Sequence, residues 1–389
     1  MNVLMVTSDA SALIDGSAAQ SMLREQATLT NRLMVVVMNG YGTHASPRKV
    51  TDNLWIFPTN SWIPFLKMLD VLYIVKHEFF FQKRLQADII VAGDPGSAGI
   101  AGYLLASRYK KPLHVHIERD LISLSYLRLS LRSAFRTVFA RIVAGQATTV
   151  SVGQEKTKTA MVRMDPRFAD RTTVIPRYID TKAIQSEETA PANDLHLKYT
   201  DFRAIMLVVA PLTHEHNVQL AIRSLAQVSK YYQHIGLVIV GNGPLKIPLK
   251  WLAWRLGVAD KVIFESMRDD LISYYKSAHL LMVPSLYEEY GTIIEDAAAA
   301  GCAIVTSPVG IAPTLIEHAK SGFLCDPKVP SEFWNSADAL IRNPPLWDEV
   351  KKNILISVET YMHQDKAAHL ALYKTSWESA LRLARGVQI

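Results

Sequence analysis

The chain has 389 residues, which suits two domains of somewhat under 200 residues each better than one ordinary core. Its 49% hydrophobic and 20% charged content is typical of a folded globular protein, and the net charge of +6 permits anionic partners without identifying one. Two cysteines without metal-ligand spacing argue against disulfides and structural zinc. With no signal peptide and no long apolar run, the chain is expected to be cytoplasmic and without a membrane span.

Strands and helices alternate along the first half of the chain. Strands are predicted at residues 2–8, 33–38, 87–93, 112–117, 148–152 and 172–176. After the first strand, Gly16 precedes a helical stretch, so its amide could approach a ligand, although a lone glycine after a strand is more often just a turn. On the strand at 112–117, alternation predicts that His114, His116 and Glu118 share one face.

An amphipathic segment follows between residues 123 and 144. Its apolar residues recur at helical spacing, and Arg128, Arg132 and Arg136 form a neighbouring basic stripe. Such a helix can rest on an anionic lipid surface, or it can pack on its own sheet with solvated arginines. No recognised nucleic-acid-binding module accompanies the basic residues, so we expect no nucleic-acid partner.

The alternation of strands and helices starts again after the polar stretch at residues 180–201. Continuous apolar strands are predicted at 204–210, 236–241, 261–266, 279–284 and 302–307, as in parallel sheets covered on both faces. The predicted fold class is therefore α/β, with two Rossmann-like, doubly wound domains that face each other across an interdomain cleft. We expect domains at 1–180 and 181–365, and a C-terminal helical segment at 366–389 that packs back toward the first domain. Ligands of such sheets bind beyond the carboxyl ends of the strands, so the cleft is the expected site.

The most informative stretch lies between the last two of these strands. A turn containing Glu288, Glu289, Tyr290 and Gly291 leads into a helix that starts at Thr292. The first amides of a helix lack partners within it and favour anions, while carboxylates accept hydrogen bonds from hydroxyl groups. The turn therefore predicts a site for an anionic or polyhydroxylated ligand, unless it is an ordinary charged turn.

Motifs of the second half resemble those of the retaining family 4 glycosyltransferases, which have the GT-B fold. Pro284-Ser285 opens the acidic turn, and a helix of small residues ends at Gly301, as in the family's pattern. The other matches are a Gly-x-Gly-Pro turn, an interdomain Ile-Pro segment followed by Asp, and a Val-Gly segment downstream; they lie at residues 241–244, 175–180 and 309–324.

The resemblance implies roles for particular residues. Glu288 would contact the donor sugar, and Asp296, eight positions later (296 − 288 = 8), would hold the ribose of the nucleotide. The family has Glu where this chain has Asp296, and the neighbouring Glu295 is an alternative. The remaining donor-binding candidates are Gly16, His216, Gly243, Lys246, Glu289, Tyr290, Gly291, Thr292 and Ile293. Glu118 or His116 would lie near the reacting sugar, or either could be an ordinary buried polar residue.

One departure from the family concerns the donor diphosphate. The family carries Arg and Lys after the first strand of its second domain, and this chain has Pro211 and His216 there. Proline supplies no charge and no donor, and histidine is only partly charged near neutral pH. Replacement groups would be His214, Lys246 and the amides of Thr292 and Ile293.

The resemblance implies transfer of a sugar from a nucleotide-sugar donor to a hydroxyl acceptor, such as a lipid-linked glycan, with retention and without a metal or other cofactor. Two alternatives stay open. One is a non-catalytic or weakly active relative that binds sugar nucleotides or glycans, and the other is a sugar-nucleotide epimerase on the same fold. Peripheral binding to the inner membrane face would involve the three arginines of the amphipathic segment.

Overall fold

The computed structural model describes residues 1–63, 66–81, 86–117, 131–268, 270–288, 290–361 and 365–386, without the side chains at 79–81 and 131–133. The chain divides into two compact units. Unit 1 comprises Met1–Arg177 and Gln364–Ile389, and unit 2 comprises Tyr178–His363. The C-terminal segment thus belongs to the same unit as the N-terminus.

Unit 1 is built on an eight-stranded sheet in the order β3-β4-β2-β1-β5-β6-β7-β8. Its strands are β1 Asn2–Thr7, β2 Arg32–Val37, β3 Arg48–Lys49, β4 Leu54–Pro58, β5 Ile89–Ala92, β6 Leu113–Ile117, β7 Thr149–Val152 and β8 Thr172–Val174. Only the β3–β4 pair is antiparallel among the pairs of this sheet in the described residues. β1 is central, since Val3 lies opposite Leu33 on one side and Ile89 on the other.

Helices cover both faces of this sheet, and an apolar cluster lies on each face. They are α1 Ala18–Ala27, α2 Lys67–Ile74, which continues as a π-helix over Val75–Phe81, α3 Ser97–Tyr109, α4 Leu131–Gln146, α5 Glu155–Met164 and α6 Phe168–Arg171. Short 3-10 turns span Ala10–Leu13 and Tyr41–Thr43. Helices on both sides of a mainly parallel sheet are the doubly wound arrangement.

Unit 2 has a six-stranded parallel sheet in the order β11-β10-β9-β12-β13-β14. Its strands are β9 Ala204–Val209, β10 Ile235–Val240, β11 Val262–Glu265, β12 Leu280–Val283, β13 Ile304–Thr306 and β14 Phe323–Leu324. Every residue of β10 and β12 is buried, which explains why these strands are continuous apolar runs without alternation.

The helices of unit 2 also lie on both faces of its sheet, with one apolar cluster on each face. They are α7 Thr181–Ser186, α8 Leu195–Lys198, α9 Val218–Val228, α10 Lys246–Arg255, α11 Ile272–Ser277, α12 Thr292–Ala299, α13 Ala312–Leu315, α14 Pro330–Arg342 and α15 Pro344–Tyr361. Further 3-10 turns span His214–His216 and Ala259–Lys261.

The last helix, α16 Lys366–Ala384, returns to unit 1. Its Tyr373 and Trp377 are buried in the same apolar cluster as β1 and β2. The His369 Nε2 atom lies 2.8 Å from the Pro176 carbonyl oxygen, and Lys366 forms an ion pair with Glu25. The helix is therefore part of the core of unit 1.

Three strands were not predicted from the sequence: β3, β4 and β14. β3 and β14 have two residues each, too few to show a pattern, and β4 ends on a proline. All three lie at or next to an edge of their sheet, where fewer buried residues mark a strand in the sequence.

Within the described residues, no helix is long and apolar enough to cross a membrane.

Candidate functional site

The centre of the unit 2 sheet is a topological switch point. β9 lies between β10 on one side and β12 on the other. The chain therefore builds the sheet outward from β9 on one side, through β10 and β11, and then crosses to the other side to form β12. Loops that follow such strands diverge and leave a crevice at the carboxyl edge of the sheet. Here the loops in question are residues 210–217, after β9, and residues 284–291, after β12.

The loop after β9 holds His216 in a fixed position. A 3-10 turn spans His214–His216, and Asn217 then adopts the left-handed conformation (φ 48°) that starts α9. The Thr213 hydroxyl oxygen lies 2.8 Å from Nδ1 of His216. This contact leaves Nε2 as the ring nitrogen directed toward the loop after β12.

The loop after β12 brings Glu288 to the same place. The Ser285 hydroxyl donates a 2.8 Å hydrogen bond to Oε1 of Glu288, and that oxygen lies 3.9 Å from Nε2 of His216. The backbone ties the two loops together, because the Leu286 amide donates to the Glu215 carbonyl oxygen at 2.8 Å. The side chains of His216 and Glu288 are 16% and 15% exposed, so both remain accessible to a small ligand.

Helix α12 starts directly after the loop that follows β12. Gly291 precedes it with φ 92°, a conformation that favours glycine, and Tyr290 beside it is buried. Thr292 is exposed and Ile293 half-buried, so the first turn of the helix faces solvent at the carboxyl edge of the sheet. A helix start in this position can bind an anion through its unpaired amides.

The two acids of α12 differ in accessibility. Glu295 is completely buried, whereas Asp296 is half-buried. Of these two carboxylates, that of Asp296 is the more exposed to solvent. Glu289, also predicted at this site, lies outside the described residues.

The glycine-rich turn after β10 packs against the backbone of the loop after β9. A Cβ atom on Gly243 would lie 2.5 Å from the Leu212 carbonyl oxygen, and one on Gly241 would lie 2.0 Å from that of Ala210. Both glycines therefore let this turn press against the backbone that leads to His216. Lys246, the first residue of α10, is half-buried, and its ammonium group has no hydrogen-bond or ion-pair partner within the part of the chain that the structure describes.

The two positions at which the resemblance predicts diphosphate-binding cations, 211 and 216, differ in exposure and in chemistry. Pro211 is exposed and contributes no donor, while His216 lies beside Glu288 rather than out in solvent. His214 is exposed on the same 3-10 turn. Among the described residues, basic side chains at this edge include the imidazoles of the 214–216 turn and the ammonium group of Lys246.

Two of the predicted site residues, Gly16 and His116, belong to unit 1. Gly16 is exposed with φ 77°, and its amide donates to the Gln20 side chain at 3.3 Å, directly before the start of α1. His116 lies on β6 and is half-buried, with Nδ1 at 2.8 Å from the Ser151 hydroxyl. Glu118 lies outside the described residues.

His114 shares the face of β6 on which His116 lies, because Nε2 of His114 approaches the same Ser151 hydroxyl at 2.9 Å. Its Nδ1 lies 2.9 Å from the Thr149 hydroxyl. Burial, together with the neighbouring His116, lowers the pKa of the His114 imidazole from 6.5 to about 3. The ring is therefore neutral, and its partners on β7 give it a structural part in the sheet.

The sequence analysis missed a polar cluster at the carboxyl end of β11. The buried Glu265 carboxylate accepts hydrogen bonds from Lys198 at 2.6 Å, from Tyr274 at 2.7 Å and from the hydroxyl of Tyr199, and Arg268 forms an ion pair with it at 3.1 Å. Burial alone would raise the pKa of Glu265, but the hydrogen bonds outweigh it and lower the pKa to about 2. The cluster joins α8 and α11 to the sheet.

No group of three or more His, Cys, Asp or Glu side chains among the described residues is arranged to hold a metal ion. Both cysteines are buried, and burial raises the pKa of the Cys302 thiol to about 12 and that of Cys325 to about 11. Neither thiol is a nucleophile at neutral pH.

The candidate site lies within a segment that is similar to known proteins. A family model described as glycosyl transferases group 1 matches residues 197–355, which include both loops and α12. An uncharacterized glycosyltransferase of Methanocaldococcus jannaschii is 32% identical over 143 residues, which is 36% of each chain, so this chain aligns with about a third of that relative's length.

Longer alignments reach lower identity. An alpha-D-kanosaminyltransferase of Streptomyces kanamyceticus is 23% identical over 294 residues, which cover 73% of this chain and 75% of the relative. Among solved structures, Anabaena HepE in complex with UDP and glucose superposes with a TM-score of 0.73 at 18% identity, covering 97% of this chain and 99% of HepE. The chain therefore has the GT-B fold, and its residues 197–355 are similar to the glycosyl transferases group 1 family.

Proposed function

We propose that this protein is a glycosyltransferase that takes a sugar from a nucleotide-sugar donor and transfers it to a hydroxyl acceptor. The observation that carries the proposal is the approach of His216 and Glu288 at the switch point of the unit 2 sheet, 3.9 Å apart, inside the segment that matches the family. The two side chains come from different loops, which hydrogen-bond to each other through their backbones.

The proposed site offers acidic groups for the hydroxyls of such a donor and basic groups for its diphosphate. The Glu288 carboxylate would accept hydrogen bonds from hydroxyls of the sugar, and Asp296 would do the same for the ribose. The start of α12, His216 and Lys246 would offer partial and full positive charge to the diphosphate. The proposed donor site also includes Glu289, Tyr290, Gly291 and Gly243. Tyr290 and the two glycines would contribute by shaping the backbone of the site.

In the proposed reaction the bond between the anomeric carbon and the diphosphate breaks, and its electron pair leaves with the nucleotide. The acceptor oxygen forms the new bond on the same face, and its proton passes to the departing phosphate. The site residues would position the sugar and stabilise the charge of the leaving group, which is the main contribution expected of a preorganised site. The reaction needs no group beyond donor and acceptor.

A non-catalytic sugar-nucleotide-binding relative is the second candidate, because Pro211 and His216 replace the Arg and Lys of the family pattern. Two charge-assisted hydrogen bonds to a phosphate are strong interactions, and their loss would slow departure of the nucleotide. His216 and Lys246 would have to compensate for both.

Transfer assays separate these two candidates. Radiolabelled UDP-, GDP- and ADP-sugars are offered with lipid-linked glycans and simple sugars as acceptors, and HepE, which is solved with UDP and glucose, makes UDP-glucose the first donor to test. A glycosyltransferase gives a labelled product with retained anomeric configuration, and Glu288→Ala abolishes it. A donor that binds to the purified protein but is never transferred would identify the non-catalytic relative instead.

Contact with an anionic membrane is a further part of this proposal, and the exposure of α4 supports it. Phe135, Val138, Phe139 and Ile142 are 67%, 47%, 49% and 55% exposed and follow the i, i+3, i+4, i+7 pattern of one helix face. Arg136 is exposed beside them; the side chain of Arg132 and the whole of Arg128 lie outside the described residues. The proposed location is the cytoplasmic face of a membrane, where lipid-linked acceptors are found.

Flotation with vesicles tests the α4 contact. The protein should float with vesicles that contain phosphatidylglycerol, and Phe135→Ser with Ile142→Ser should reduce the bound fraction, since each apolar side chain adds about 1.5–3 kcal/mol on full burial. Unchanged flotation of this double variant would refute the contact.

A further inference from the structure

Helix α10 of unit 2 is apolar on two opposite faces. Its inner face packs Leu249 and Ala253, both buried, against the core of unit 2. Its outer face carries Ile247, Trp251 and Trp254, which are 80%, 56% and 70% exposed. These three positions follow the i, i+4, i+7 spacing and therefore form one stripe along the helix. A surface helix normally has a polar outer face, so this stripe calls for an explanation.

Basic residues border the stripe. Lys246, Lys250 and Arg255 are the charged residues of Lys246–Arg255, and this helix contains no acidic residue. The Arg255 guanidinium carbon lies 5.4 Å from the centre of the Trp251 ring, and the Lys250 ammonium lies 5.7 Å from that of Phe264. The cations thus lie along aromatic surface, within reach of whatever contacts the stripe.

The side chains of α10 indicate which class of ligand can bind to its outer face. All ten are either apolar or basic, so the helix offers no side-chain acceptor for the hydroxyl groups of a glycan. A second copy packed symmetrically through the same stripe would bring its three cations toward these three. An anionic lipid surface satisfies both features, because tryptophans favour the interface of a bilayer and basic residues are attracted to acidic headgroups.

We propose that the outer face of α10 is a docking surface for an anionic phospholipid bilayer, with Ile247, Trp251 and Trp254 inserted among the headgroups and Lys250 and Arg255 paired with phosphates. This contact is additional to the one proposed for α4 and lies on the other unit. It does not depend on the donor or on the transfer reaction, and it would place the donor-binding unit itself on the membrane.

The test measures co-flotation of the full chain with vesicles of phosphatidylcholine, with and without phosphatidylglycerol. Trp251→Ser with Trp254→Ser should raise the lipid concentration for half-maximal binding about tenfold or more, as expected when two buried indoles are lost. Lys250→Glu with Arg255→Glu should weaken binding to the phosphatidylglycerol vesicles and leave the weak binding to neutral vesicles unchanged.

The matched control is Tyr231→Ser with Ile356→Ser, which removes two other exposed apolar side chains of unit 2, 75% and 52% exposed. It should bind vesicles as the unchanged protein does. Thermal unfolding of each variant reports on its folding, and calorimetric binding of a nucleotide sugar reports on the proposed function, so a failure of one proposal is distinguished from a failure of the other.

Three results would overturn the proposal. The first is vesicle binding that is the same in the tryptophan variant and in the control, as it would be if α4 were the whole contact. The second is loss of self-association, measured by sedimentation, in the tryptophan variant alone, which would assign the stripe to a second copy of the chain. The third is binding of a neutral polysaccharide to the stripe without any binding to phosphatidylglycerol vesicles.

Discussion

His216 has neighbours on two sides that define what it can do. Thr213 lies against one ring nitrogen at 2.8 Å, and Glu288 lies 3.9 Å from the other. An imidazole held beside a carboxylate in this way can serve a ligand both as a donor and, when protonated, as a cation. These two contacts of His216 could not be predicted from the sequence.

A second histidine, His114, predicts a pH dependence of stability. Burial lowers the pKa of its imidazole from 6.5 to about 3, so between these values the unfolded chain binds a proton that the folded chain does not. The contribution to stability is fully present above pH 6.5 and decreases as the pH falls toward 3, by several kcal/mol in all, at about 1.4 kcal/mol per unit of pKa difference.

The measurement is the free energy of unfolding in urea between pH 7 and pH 4 for the unchanged protein and for His114→Gln. The variant should be less stable at pH 7 but should lose less stability on acidification. His44→Gln replaces an exposed histidine and serves as the control. Equal acid sensitivity in His114→Gln and the unchanged protein would contradict the assignment of a neutral, buried His114.

At the scale of elements, the site depends on the fit between two turns. The turn after β10 presses on the loop after β9, where a Cβ atom on Gly243 would lie 2.5 Å from the Leu212 carbonyl oxygen and 2.7 Å from its nitrogen. Because both contact atoms belong to the backbone, Gly243→Ala should displace the loop that carries His216. We expect a loss of about 1–3 kcal/mol of stability and weaker nucleotide-sugar binding.

Calorimetric affinity and thermal unfolding check this prediction together. Gly42→Ala is the control, since a Cβ atom there has no neighbour within 4 Å. If Gly243→Ala binds nucleotide sugars as tightly as the unchanged protein, the turn after β10 does not position the site.

The elements themselves were largely predictable, and the contacts between them were not. Runs such as Ile235–Val240 and Leu280–Val283 are buried along their whole length, so burial alone marks them in the sequence. The bonds of Ser285 to Glu288 and of Thr213 to His216 depend on how two loops fold, and serine and threonine in a loop carry no signal of their own. The Glu265 cluster was missed for the same reason, because its donors come from three separate elements.

At the scale of the whole molecule, the chain ends by completing the unit in which it begins. Trp377 of α16 is 1% exposed and packs in the cluster that contains β1 and β2. Trp377→Ala should therefore cost about 3–5 kcal/mol and should lower the stability of unit 1 while leaving that of unit 2 intact.

Hydrogen exchange resolved by segment distinguishes the two units. Protection should fall in the strands of unit 1 and remain in those of unit 2, whereas Lys374→Ala, an exposed change on the same helix, should alter neither. Equal loss of protection in both units would show that α16 does not belong to unit 1 alone.

The most direct test of the central claim is calorimetric binding of UDP-, GDP- and ADP-sugars to the unchanged protein and to site variants. We expect one donor class to bind, with Glu288→Ala weakening it about 10- to 100-fold and His216→Ala about tenfold, as for hydrogen bonds that involve a charged group. Glu215→Ala, an exposed change on the same loop, should have no effect. If no member of the panel binds, or if Glu288→Ala and His216→Ala bind as the unchanged protein does, the place where the loops after β9 and β12 meet is not a nucleotide-sugar site.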